Sequence, residues 1–80
     1  MATKQDLIDW LEAALRRLGG EGSIAEVSRE LWQAHEPELR LSGDLFLTWQ
    51  YDVRWAAYEL RQSGRMKPDS ESPSGIWQLT

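Results

Sequence analysis

The 80-residue sequence contains no cysteine, so neither a disulfide nor a thiolate metal site can staple its fold. It contains one histidine, which leaves little for imidazole catalysis or a histidine-based metal cluster. No apolar run approaches the ~20 residues that a membrane helix needs. The opening segment, MATKQDLID, has neither the basic region nor the apolar core of a secretory signal. Positive charge is also short: nine Lys and Arg stand against 13 Asp and Glu, a formal net charge of −4. That balance argues against strong, sequence-independent attraction to nucleic acid. The expectation is one small soluble domain spanning residues 1–80, without a membrane partner and placed in the cytoplasm.

Five tryptophans stand out against these absences. A chain of this size buries only about 60–65% of its unfolded surface. Its stability must therefore come from a dense apolar core, and indole rings supply much of the area.

The charge is unevenly spread. Residues 1 to 48 hold five Lys/Arg and nine Asp/Glu, while residues 49 to 67 hold Arg54, Arg61, Arg65 and Lys67 against Asp52 and Glu59. Residues 68 to 80 carry only Asp69 and Glu71. The single basic zone is thus confined to one stretch, Trp49 to Gly64, and to Arg65-Met66-Lys67 directly after it. Within Trp49 to Gly64, Val53, Ala56, Ala57 and Leu60 recur at i, i+3, i+4 and i+7, and Trp49 joins them one turn earlier. The spacing places them on one side of a helix. About half a turn away lie Tyr51, Arg54, Tyr58 and Arg61, two phenols interleaved with two guanidinium groups. Gly64 stands at the end, where a helix terminus calls for φ > 0.

Two further helices precede this one. Thr3-Lys4-Gln5-Asp6 resembles a capping box with Asp in place of Glu. Leu7, Leu11, Ala14, Leu15 and Leu18 then keep helical spacing up to Gly19-Gly20. Arg16 and Arg17 close this helix, where cations suit its dipole; a phosphate-binding pair is the other reading. Ser23-Ile24-Ala25-Glu26 is a full capping box, and Ile24, Val27 and Leu31 form the inner stripe of helix two. Pro37 biases Glu36 away from helical geometry, so this helix should stop near His35. Glu36 to Leu47 reads as a loop with a turn at Ser42-Gly43, and helix three begins as early as Asp44, with Thr48 as the competing cap.

After Gly64, Arg65-Met66-Lys67 is a short extended run stopped by Pro68, and a polar loop carries Asp69 and Glu71. Gly75-Ile76-Trp77-Gln78-Leu79 alternates, placing Trp77 and Leu79 on one face. The two runs read as a hairpin, and Gly22-Ser23-Ile24 could add a small third strand. Three helices followed by a hairpin make an α+β chain with the layout of a winged helix: a three-helix core with a C-terminal β-hairpin wing. A three-helix bundle with an unstructured tail is the alternative, and the alternating apolar tail counts against it.

Particular words of the sequence point the same way. Arg54-Trp55-Ala56, Leu60, Gly64 and Gly75-Ile76-Trp77-Gln78-Leu79-Thr80 resemble the N-terminal winged-helix domain of Mrr-type restriction endonucleases. Ser42-Gly43 and Leu18-Gly19-Gly20 fit the same pattern. The resemblance implies a DNA-binding domain that sits before a nuclease domain, with helix three as its recognition element. Because the sequence stops at Thr80, it implies either an excised domain or a free-standing relative. The loop departs from the pattern, presenting Asp69 and Glu71 where a wing on phosphates would present cations.

No catalytic constellation emerges, and neither cofactor nor metal is expected. Asp6 with Asp9, and Glu26 with Glu30, are one turn apart and read as solvated helix faces. Gly19-Gly20-Glu21-Gly22 lacks the lysine of a phosphate-binding loop and reads as a turn. His35 reads as a helix-end residue. Trp55 lies between core and outer phases and reads as packing. Two binding functions remain. The first is recognition of double-stranded DNA by Gln50, Tyr51, Arg54, Tyr58, Arg61, Arg65 and Lys67, with Gln62 at the edge. The second is a protein-interaction or homodimerisation module, because Tyr and Arg are also what protein interfaces favour.

Overall fold

Helix α1, Asp6–Arg17, forms where the sequence places Leu7, Leu11, Ala14 and Leu15 on one side, and all four are fully buried. Residues 1–80 are described by a computed structural model. The start of α1 is secured by half of the expected capping box. The Thr3 amide donates to Asp6 Oδ2 at 2.9 Å, but no side chain returns a bond to the first turn. Its end is closed by Gly19 and Gly20, both at positive φ, and the Gly20 amide donates back to the Leu15 carbonyl at 2.7 Å.

Strand β1, Glu21–Ser23, leads directly into α2, Ile24–Arg40. Here the capping box is complete: the Glu26 amide donates to Ser23 Oγ and the Ser23 amide donates to Glu26 Oε1. The expected stop near His35 is a break rather than an end. His35 leaves helical geometry at φ −131°, and helical backbone then resumes through Arg40. Glu36 to Arg40 is therefore helix, not loop. The reason is twofold: Pro37 falls in the first turn after the break, where a missing N–H is tolerated, and Leu39 is fully buried.

The turn to α3 uses Gly43 at φ 58°, ψ −126°, a conformation essentially confined to glycine. Ser42 beside it is buried; its hydroxyl accepts from the Ala2 amide at 3.0 Å and donates to the Glu38 carbonyl. Helix α3, Asp44–Gln62, turns Leu45, Trp49, Val53, Ala56, Ala57 and Leu60 to the core. It ends as α1 does, with Gly64 at φ 76° and the Arg65 amide donating to the Leu60 carbonyl.

Strand β2, Ile76–Gln78, pairs antiparallel with β1 in the register Glu21↔Gln78, Gly22↔Trp77, Ser23↔Ile76. The expected hairpin with residues 65 to 67 is reduced to one bridge, Met66↔Leu79, flanked by bonds from the Lys67 amide to Gln78 and from the Thr80 amide to Arg65. Pro68 has no N–H to extend that ladder, and Asp69–Glu71 turns away as a single 3-10 turn. The segment from Ile76 onward thus runs between two partners. Gly22 fits closely in β1: a Cβ there would lie 3.0 Å from Leu18 Cδ1 and 3.4 Å from Val27 Cγ2, so those side chains would have to give way. Met66 and Trp77 are buried and seal the helical core from this side. The whole is a small α+β domain, and no helix is long and apolar enough to cross a membrane.

Candidate nucleic-acid interface

The inward phase of α3 fixes what points outward. Leu47, Tyr51, Arg54 and Tyr58 follow one another at i, i+4, i+7 and i+11, so they share one line along the helix. Leu47 is 80% exposed, Tyr51 77% and Tyr58 55%. Arg54, between the two tyrosines, is exposed and belongs to none of the ion pairs of the chain. Helical phase alone puts Leu47 on this line, but an apolar side chain carries no chemical signal of a site as the tyrosines and arginines do.

The other expected contacts divide. Gln50 and Gln62 are exposed on the flanks of the same face. Lys67 is half-buried in the extended segment beside β2. Arg61 is held inside the molecule: its Nε donates to the Lys67 carbonyl at 3.2 Å and its Nη2 to Asp69 Oδ1 at 2.7 Å. Arg65 is committed to α1. Its Nε donates to Glu12 Oε2 at 3.0 Å and its Nη2 to Glu12 Oε1, a bidentate pair that Arg16 joins at 3.2 Å. The hydrogen bond from Arg65 holds the Glu12 carboxyl below its ordinary range, against the opposing effect of burial. The same bond raises the Arg65 guanidinium. Neither partnership was visible in the sequence, since Arg65 and Glu12 stand 53 residues apart and Asp69 reaches Arg61 only through the fold of the loop.

Two concavities flank α3. One is an open cleft of about 290 Å³ toward the sheet, whose lining includes Arg54, Arg61, Asp69, Ile24, Ile76 and Trp77. The other is a shallow groove of about 380 Å³ between α2 and α3, formed by Ser28, Arg29, Trp32, Phe46, Trp49 and Gln50. The Trp32 and Trp49 rings stack there at 6.0 Å, and the Arg40 guanidinium lies 5.2 Å from the Trp32 centroid. Trp55 packs against the core, with Lys4 Nζ 4.4 Å from its ring centroid.

The remaining sequence candidates have structural partners. Arg17 Nε donates to Glu30 Oε1 at 2.6 Å, so the Arg16-Arg17 pair is engaged with carboxylates of the chain itself. His35 stacks on Trp10 at 3.7 Å and lies 3.1 Å from Glu38 Oε2 through Nδ1. Glu26 serves the α2 cap, and the bond from the Ser23 amide holds its carboxyl below the usual value.

These features define a class, a small α+β domain with one exposed aromatic and basic helix face. No protein-family model, curated protein or solved structure matches the chain.

Proposed function

We propose that the chain is a winged-helix domain that binds duplex DNA through α3, with modest and salt-sensitive affinity. The observation that carries this reading is the exposed line Tyr51–Arg54–Tyr58, with a guanidinium free of any internal ion pair between two phenols. An arginine so placed reaches a phosphate or a guanine edge, and tyrosine hydroxyls bond phosphate oxygens. The order helix, strand, helix, helix, extended segment, strand supports the winged-helix assignment, as does the run of the final segment between two partners. The resemblance of residues 42 to 80 to the N-terminal domain of Mrr-type endonucleases supports it as well, and points to a restriction or regulatory system. In this reading Tyr51, Arg54 and Tyr58 make the central contacts, Gln50 and Lys67 flank them, and Arg65 keeps its structural role beside Glu12.

A labelled duplex titrated at several salt concentrations tests the proposal. Arg54→Ala should lower the salt slope by about 1 if Arg54 meets a phosphate. Absence of binding at low salt overturns the reading.

Leu47 favours a second reading. A largely exposed leucine in line with Tyr51 and Tyr58 suits a protein partner or a second copy of the chain better than a phosphate backbone. Sedimentation over a concentration series distinguishes the two. Self-association weakened by Leu47→Ala or Tyr58→Ala supports the interaction module, and a concentration-independent monomer argues against the homodimer.

A further inference from the structure

The cleft between α3 and the sheet carries an ion pair with unequal partners. The Arg61 side chain is only 20% exposed, whereas that of Asp69 is 86% exposed. Arg61 is held at two points, and the two differ in kind. The Lys67 carbonyl that accepts from Nε belongs to the segment whose own amide donates to Gln78, so the sheet fixes it. Asp69, which accepts from Nη2, opens the single 3-10 turn of a polar, solvent-facing loop. Moving Asp69 aside leaves the Arg61 fork aimed by its Nε bond. Arg54 lines the same cleft and has no carboxylate partner.

We propose that this cleft is a phosphate site built by Arg54 and Arg61, and that Asp69 is its internal competitor, sitting where a phosphate oxygen would bond Arg61. The proposal rests on the DNA-binding reading for the source of the phosphate, a duplex backbone; free phosphate has the same chemistry. A carboxylate and a phosphate oxygen make the same charge-assisted bond to a guanidinium, so one can replace the other. Solvent around the exposed Asp69 partner weakens the pair, which keeps the exchange reversible. Phosphate also has oxygens enough to engage both arginines, whereas Asp69 engages Arg61 alone. Asp69 therefore lowers the affinity of the domain for phosphate and makes a bound phosphate displace a carboxylate before it gains Arg61. This gives a role to the acidic loop, which looked misplaced for a surface meant to meet a polyanion.

The test compares wild type with Asp69→Asn and Glu71→Gln. The second variant removes the same charge from the same turn at a residue outside the ion pairs. Each protein is titrated with a labelled duplex across a salt series. In parallel, inorganic pyrophosphate is added while the arginine Nε–H resonances are followed by NMR. Asp69→Asn should bind duplex on the order of tenfold tighter at about 50 mM salt, with a slope steeper by about 1, while Glu71→Gln stays near wild type. Pyrophosphate should shift the Arg54 and Arg61 resonances, and do so at lower concentration in Asp69→Asn. Equal effects of the two variants would reduce the result to net charge and overturn the site. Duplex binding that Asp69→Asn leaves unchanged would overturn the competitor and leave the DNA reading standing. Failure of every protein to bind duplex, with pyrophosphate still favouring Asp69→Asn at Arg61, would retain the site for free phosphate and remove the DNA reading. Pyrophosphate that moves neither resonance would overturn the proposal.

Discussion

Glu12 shows how one residue can tie distant parts of the chain. It sits on α1 with its side chain 12% exposed and accepts from both Arg65 and Arg16. The Arg65 hydrogen bond is the main cause of its lowered pKa, from an ordinary 4.5. A carboxylate with a depressed folded pKa stabilises the fold above its unfolded pKa, and that contribution is lost as pH falls through the depressed value. Glu12→Gln should therefore melt a few degrees below wild type at neutral pH, and the gap should close as pH falls from the ordinary 4.5 through the depressed value. Thermal melts in a series from pH 7 down into acid check this; a gap that does not narrow anywhere along the series would assign the effect to packing instead. At the same scale, the sequence placed Tyr51, Arg54 and Tyr58 outward because helical phase alone decides it. It could not show that Arg61 and Arg65 meet carboxylates, because those partners come from other elements.

At the scale of the element, α2 depends on its first turn. Ser23 and Glu26 satisfy each other's amides, so Ser23→Ala should destabilise the fold by about 1 kcal/mol in chemical denaturation. Gly43 is a stricter requirement. At φ 58°, ψ −126° a side chain is strained whatever space surrounds it, and Gly43→Ala should cost about 1–3 kcal/mol in the same measurement. The helices were largely legible, since their apolar spacing and their glycine ends are local signals. The resumption of α2 after His35 was not. Pro37 announces a break and is tolerated in the turn that follows it, but the burial of Leu39, which draws the chain back into helix, is not a local signal. Strand pairing was less legible again. Residues 21 to 23 and 65 to 67 are equally short and both pair with the closing segment, and Pro68, which lacks an N–H, keeps the second pairing to a single bridge.

For the molecule as a whole, the closing strand bears much of the stability. Trp77 is buried and faces Gly22 across the sheet, and the segment it belongs to bonds to residues 20 to 23 on one side and 65 to 67 on the other. Removing that ring should cost about 3–5 kcal/mol, a large part of what so small a domain possesses. Denaturant unfolding of Trp77→Ala should show a much lower midpoint; a near-wild-type midpoint would mean that the helices stand without the sheet. The pairing of β1 with β2 also has a consequence during synthesis. A ribosome makes Glu21 57 residues before Gln78, the residue opposite it in the ladder. β1 therefore cannot find its partner until Gln78 has been made, and the pairing closes a long loop, which is slow compared with the local turns of the helices. Over that interval the unpaired edge of β1 is open to other polypeptides.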